Sequence, residues 1–271
     1  MTSNLDEKGL RSIINEYDLF FIDVWGVLHN GINLFKNSVE VLEKLEENKK
    51  NYVLLTNAPR PNETVKKFLK DMGLAEKKAK QVYTSGQAAL DQLQTMSSKK
   101  FFHIGPPRDF DLFKTFENQK VKKIDECDFL LCTGLFDSHQ RDLEYYKRLF
   151  LNHVKKKMFC TNPDLIVDRG DVREFCAGTI AKVFETLGGE VKYFGKPYPE
   201  IYKKAFNNLE CKKVICIGDS LNTDIKGANI QNFDSLLINS GIHKNEINKD
   251  IKGLIKKYDV SVNYIQTDLK W

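Results

Sequence analysis

Val214-Ile215-Cys216-Ile217-Gly218-Asp219-Ser220-Leu221-Asn222-Thr223-Asp224-Ile225 reads as a buried strand that leaves through a glycine into a loop with two carboxylates five residues apart. A short apolar run bounded by a turn residue suits a strand covered on both faces, as in parallel sheets. Gly218 permits a sharp exit, and the loop offers the hard oxygen ligands that Mg²⁺ prefers. A capped helix start is the bland alternative for the same residues.

Outward from this segment the same alternation continues. Strand-like runs at Leu19–Val24, Tyr52–Thr56, Phe101–Ile104, Phe129–Cys132, Val191–Phe194 and Ser235–Ile238 are separated by helical patterns. Parallel strands joined by crossover helices follow, so the fold class is α/β. Val65, Phe68, Leu69 and Met72 keep helical spacing, with Asn62 as cap and Gly73 as stop. Ile180, Val183, Phe184 and Leu187 repeat the pattern between Thr179 and Gly188-Gly189, and Pro199 opens a third helix.

The chain has 271 residues, which at roughly 100–200 residues per domain favours two domains. Apolar residues at 41% and charged residues at 29% exclude disordered and collagen-like classes. No apolar stretch approaches the ~20 residues of a membrane span, so no membrane partner is expected. The net charge of +5 is spread over short Lys clusters without interleaved aromatics, which argues against nucleic acid. The polar first residues resemble neither a secretory signal nor a transit peptide, and the six cysteines lack Cys-x-x-Cys spacing. Reduced, mostly buried thiols in a cytoplasmic protein are expected.

Three further polar clusters follow strand candidates. Asp23 ends Phe20-Phe21-Ile22, with Gly26 three residues later; Thr56 and Asn57 end Tyr52-Val53-Leu54-Leu55; Lys196 stands between Gly195 and Pro197. Each has an ordinary explanation: a turn carboxylate, a self-satisfied Thr-Asn loop, a surface lysine. Their common position is informative, because ligands of open parallel sheets bind beyond the carboxyl ends of the strands. Thr56 and Asn57 suit phosphate oxygens, and a lysine in a rigid turn suits a point-charge clamp.

In order and spacing, Asp23-Val24-Trp25-Gly26-Val27, Thr56-Asn57, Gly195-Lys196-Pro197 and Gly218-Asp219 through Asp224 resemble the four motifs of the haloacid dehalogenase superfamily. Tyr83-Thr84-Ser85-Gly86, Cys160-Thr161-Asn162-Pro163-Asp164 and Phe194 through Tyr202 are similar to its subclass IIA phosphatases. The resemblance implies a Rossmann-like core with a parallel sheet at residues 1–83 and 187–271, and an inserted α/β cap at 84–186. It implies Asp23 as the nucleophile that forms an aspartyl-phosphate, with Thr56, Asn57 and Lys196 neutralising the phosphoryl group. It implies Mg²⁺ held by Asp23, Asp219 and the backbone carbonyl of Trp25, with Asp224 supporting the metal shell. The substrate is expected to be a small phosphorylated metabolite, chosen by cap residues around Thr133–Ser138 and Asn162–Arg169. Family caps often contribute to dimer contacts, so a homodimer is compatible with this picture.

The chain departs from the pattern at Trp25, where most phosphatases of the superfamily carry a second Asp as general acid and base. Indole N–H donates only and cannot trade a proton near neutral pH. General acid–base catalysis is worth ~10²–10⁴ in rate, so alkyl phosphates are expected to react slowly. Aryl and acyl phosphates, whose leaving groups depart without a proton, should suffer less. His29 is a conceivable stand-in, with an idle loop histidine as the alternative. Trp25 itself is either an apolar residue packed beside the cleft or a stacking surface for a ring-bearing substrate. The chain as a whole is either a Mg²⁺-dependent phosphatase or a non-hydrolytic phosphate-binding or regulatory protein on the same scaffold.

Overall fold

The structure, a computed structural model, describes residues 2–169, 172–206 and 211–271. Its first strands are β1 (Ser3–Asn4), β2 (Leu19–Ile22), β3 (Asn51–Thr56) and β4 (Val82–Thr84). The middle of the chain contributes β5 (Phe101–Ile104), β6 (Phe129–Cys132), β7 (Lys157–Cys160), β8 (Ile166–Arg169), β9 (Val172–Phe175) and β10 (Val191–Tyr193). The last are β11 (Val214–Gly218), β12 (Asp234–Ile238) and β13 (Tyr264–Gln266).

Seven strands form one sheet in the order β1-β13-β12-β11-β2-β3-β4, and four form a second in the order β10-β7-β6-β5. Every pairing in both sheets is parallel. Parallel neighbours cannot be joined by a tight turn, which is why helices such as Lys36–Glu47 and Asn62–Asp71 separate the strands. Among the described residues β8 and β9 pair only with each other, as an antiparallel hairpin.

The continuous apolar runs follow from burial on both faces. Phe20, Ile22, Leu54, Ile215 and Ile217 pack with Val41, Leu42 and Leu69 in one cluster. Their alternates Leu19, Phe21, Val53, Leu55 and Cys216 pack with Ile201, Tyr202 and Ala228 in another. Each such buried side chain contributes roughly 1.5–3 kcal/mol, so the central strands are the most firmly held part of the molecule. Their carboxyl ends are therefore a rigid base for side chains.

Several expectations are corrected locally. Asn62 is not the cap of its helix; Pro61 occupies that position, and the Asn62 side-chain oxygen accepts a hydrogen bond from the Thr84 N–H at 2.9 Å. Strand β10 pairs with β7, so the chain stays with the smaller sheet as far as Tyr193, past the boundary expected at 186. Gly188 and Gly189 fold the chain back onto the end of the preceding helix, and the next strand joins the same sheet. The strands β1, β4, β7, β8, β9 and β13 were outside the expected set, because most are only two to four residues long or lack an apolar run. Among the described residues no helix is long and apolar enough to cross a membrane.

Candidate active site

Strand register brings the separated motifs level. Ile22 lies opposite both Ile217 and Leu54, so Asp23, Asp219 and Thr56 emerge at the same carboxyl edge. The Asp23 N–H continues the ladder by donating to the Ile217 carbonyl at 2.8 Å. Asp23, Asp219 and Asp224 are all buried, and an oxygen from each lies within 4.8 Å of the others.

Asp224 reaches this centre because Leu221–Ile225 is a turn of π-helix, not the capped α-helix start weighed from sequence. Its Oδ2 accepts from the Ser220 N–H at 3.2 Å. Gly218 has its explanation here: a Cβ would come within 2.0 Å of Asp224 Cγ, so its lack of a side chain makes room for a carboxylate. Asp219 is enclosed in the same way. A Cβ on Gly26, whose φ is +84°, or on Gly241 would come within 2.2 Å or 2.1 Å of Asp219 Oδ2, and that oxygen accepts from the Ile242 N–H at 2.9 Å.

Lys196 closes the centre and is itself buried. Its Nζ donates to Asp23 Oδ1 at 2.5 Å, Asp224 Oδ1 at 2.7 Å and the Leu55 carbonyl at 2.9 Å. Asn57 holds the loop that carries it: Asn57 Oδ1 accepts from the Lys196 N–H at 2.7 Å, and Nδ2 donates to the Lys196 carbonyl and to Asp164 Oδ1. The Asn57 carboxamide, expected at the phosphate, joins the sheet edge, the lysine loop and Asp164, which precedes β8. Thr56 lines the cavity and accepts from the Ala58 N–H at 3.2 Å, which leaves its own O–H as a donor.

One ammonium faces three carboxylates, and the imbalance sets the electrostatics. Burial, then the Asp224 charge, raise Asp219 to about 7 against the pull of the Ile242 N–H and Lys196. Burial with Asp224 and Asp219 also raises Asp23 well above the usual carboxylate range, although Lys196 opposes the shift. Burial alone would lower Lys196, but Asp224, Asp23 and Asp164 outweigh it and keep the ammonium charged. The cluster therefore holds excess negative charge on hard oxygen donors, the surroundings a divalent cation such as Mg²⁺ fits.

Trp25 directs its ring away from proton chemistry. Its Nε1–H donates to the Asp168 carbonyl of β8 at 2.7 Å, and its ring packs edge-on against His29. His29 is buried, accepts from the Gly31 N–H through Nδ1 at 2.8 Å, and is pushed down to about 4 by burial and by Arg169. Both residues are fastened to the loop and the hairpin.

A cavity of about 670 Å³ opens above the carboxylates. Of the two cap regions expected to choose substrate, Asn162–Arg169 supplies Asp164 through Asp168 to its wall. Among the described residues Thr133–Ser138 supplies none of the lining, and Thr133 is instead paired with His103 of β5 at 2.9 Å. Arg173 and the Gly241-Ile242 loop also line the cavity and were not singled out from sequence. The loop carried a usable signal: Asn239-Ser240-Gly241 follows the apolar β12 as Asp219-Ser220 follows β11.

Comparison with known proteins agrees with this arrangement. A family model described as haloacid dehalogenase-like hydrolase matches residues 20–118, and a HAD-hydrolase-like model matches residues 193–265. The 4-nitrophenylphosphatase of Schizosaccharomyces pombe is 26% identical, over 88% of this chain and 89% of that protein. The crystal structure of a haloacid dehalogenase-like hydrolase from Brucella suis superposes with a TM-score of 0.79 at 31% identity, covering 87% of this chain and 90% of that one. A glycerol phosphate phosphatase from Mycobacterium tuberculosis, solved in complex with magnesium, shares the fold at a TM-score of 0.65 and 22% identity, covering 85% and 70%.

Proposed function

The chain belongs to the haloacid dehalogenase-like hydrolases, and from that premise we propose that it is a Mg²⁺-dependent phosphatase of a small phosphorylated metabolite. The observation that carries this is the convergence of Asp23, Asp219, Asp224 and Lys196 at one sheet edge. The large sheet, from residues before about 84 and after about 194, is the catalytic core, and the residues between form a cap that selects the substrate.

Asp23 is the nucleophile: its carboxylate attacks phosphorus, the ester oxygen leaves, and water later hydrolyses the aspartyl-phosphate. Asp23, Asp219 and the Trp25 backbone carbonyl would hold Mg²⁺, with Asp224 supporting them; the magnesium complex of the mycobacterial relative supports this choice of ion. When bound, the ion supplies charge that offsets the repulsion between an anionic carboxylate and an anionic phosphate. Lys196 supplies a second positive charge, and the Thr56 O–H donates to a phosphoryl oxygen. Fixing these groups before the substrate arrives is most of the rate enhancement.

Position 25 has no proton to give, so leaving groups that depart unprotonated are favoured. A phenolate, with a conjugate acid near ~10, or a carboxylate near ~4, needs far less help than an alkoxide. Aryl and acyl phosphates are therefore the better substrates. The same side chain motivates a second reading, a phosphate-binding protein that has lost turnover. Six separate thiols, five of them buried, support a reducing compartment such as the cytoplasm.

Turnover of 4-nitrophenyl phosphate with and without Mg²⁺ tests the assignment. Metal-dependent release of nitrophenolate, abolished in Asp23→Asn, is expected. Phosphate binding without product would favour the second reading, and turnover undiminished in Asp23→Asn would refute the mechanism.

A further inference from the structure

The cap hairpin β8–β9 is tied to the core at two points, both through the cross-strand pair Asp168 and Arg173. The Trp25 indole N–H donates to the Asp168 carbonyl at 2.7 Å, and the Arg169 guanidinium lies 5.2 Å from the centre of the indole ring. Arg173 Nη2 donates to the Ile242 carbonyl at 3.1 Å and to Asp168 Oδ2 at 2.9 Å, while its Nε donates to Asp168 Oδ1 at 2.7 Å. The Ile242 N–H in turn donates to Asp219 Oδ2.

The core loop is shaped to present the indole. Gly31 has a φ of +87°, and a Cβ there would come within 2.7 Å of Trp25 Cζ2, so a side chain at 31 would displace the ring. His29 packs edge-on against the ring, 5.0 Å between centroids, and is itself backed by Phe68 at 5.6 Å. The indole therefore has one orientation, and in it the N–H meets the hairpin.

We propose that Trp25 is a positioning residue: its indole N–H latches the β8–β9 hairpin over the carboxylate centre, and Arg173 on the Ile242 carbonyl completes the latch from the neighbouring core loop. The position that most phosphatases of the superfamily use for proton transfer is here used for closure. With the latch made, Leu165, Ile166, Val167 and Phe175 wall the cavity, so the leaving group meets an apolar surface from which water is displaced. The latch itself does not require turnover; its effect on substrate affinity rests on the phosphatase assignment above.

Hydrogen–deuterium exchange on the full chain, without ligand, tests the latch in Trp25→Phe and Arg173→Met. Phenylalanine keeps a ring in the Gly31 and His29 pocket and removes the N–H; Arg173→Met breaks the contact to the Ile242 loop, together with the hairpin's own pair with Asp168, without touching that pocket. A hydrogen bond contributes about 1 kcal/mol, so the amides of residues 165–169 and 172–176 should exchange about three- to tenfold faster in each variant, with β11 unchanged. Hairpin exchange at the wild-type rate in both variants overturns the proposal. If Trp25→Phe also loosens β11, Arg173→Met decides alone, by the same criterion. With 4-nitrophenyl phosphate, KM should rise in step with the hairpin exchange rate across the two variants. A fall in kcat exceeding the rise in KM in both would instead place Trp25 in the chemistry and overturn a positioning role. A wild-type protein without any turnover would defeat the phosphatase assignment and leave the exchange result standing.

Discussion

The Lys196 ammonium lies 2.7 Å from Asp224 Oδ1, with both side chains almost wholly buried, and the same nitrogen reaches Asp23. This contact between residues 28 positions apart makes the carboxylate cluster tolerable in the fold. Taking one partner from a buried ion pair leaves an uncompensated charge and costs far more than an exposed pair would.

Lys196→Met should therefore destabilise the metal-free protein by about 3–5 kcal/mol at pH 7.5, read from urea denaturation. The raised pKa of Lys196 means that its contribution is complete below the ordinary lysine value and is lost only as pH rises through the folded one. The loss on substitution should shrink at pH 5, where Asp23 and Asp219 take up protons. An equal loss at both pH values would show that packing, not charge, is responsible.

Asp219, raised to about 7, predicts a pH-dependent metal site. An acid whose folded pKa lies above its unfolded value stabilises the fold below the unfolded pKa and loses that stability as pH rises through the folded one. The metal-free protein should thus lose stability between about pH 4 and pH 7, on the order of a few kcal/mol. Mg²⁺, which needs the ionised carboxylate, should raise Tm more at pH 8 than at pH 6; at one hundred times its Kd the stabilisation is about 2.7 kcal/mol. Thermal shifts in Asp219→Asn should be insensitive to Mg²⁺; retention of the full shift would place the ion elsewhere.

Asn57→Ala removes three hydrogen bonds that join Lys196, Asp164 and the end of β3. At about 1 kcal/mol each, the cost should be about 3 kcal/mol, and turnover should fall more than tenfold as Lys196 loses its position. Stability within 1 kcal/mol of wild type would mean that the lysine loop is held by other contacts.

Trp25→Asp restores a proton-transfer carboxyl while breaking the hairpin latch. The ratio of kcat/KM for an alkyl phosphate to that for 4-nitrophenyl phosphate should rise at least about tenfold, since only the alkoxide needs the proton. Using the ratio cancels losses common to both substrates. A ratio unchanged in a folded variant would show that proton transfer does not limit the reaction.

Much of this was legible from strand endings. Asp23, Thr56 and Asp219 follow apolar runs, and because β2, β3 and β11 are neighbouring parallel strands, their ends fall on one edge. Lys196 and Asp224 were legible through spacing. Asn57 was expected among the phosphate-binding residues; that its carboxamide also joins Asp164 and Lys196 is something nothing local in Thr56-Asn57 reveals. Gly218 was read as a turn and is a clearance for Asp224. Ile242 carried no motif, since its role rests on a backbone carbonyl and N–H that every residue possesses, and Arg173 carried none because its guanidinium meets a carbonyl 69 positions away.

The sequence by itself determined the α/β class, because hydrophobic periodicity and turn residues act locally along the chain, and the order of its four motifs carried the resemblance to the family. Tertiary structure alone decided where each polar side chain spends its hydrogen bonds: Lys196 on Asp23, 173 residues away, and Trp25 on the Asp168 carbonyl, 143 residues away. Hydrogen bonds are made or lost within a few tenths of an ångström, and at such separations in the chain only the packed sheet and cap fix distances that finely.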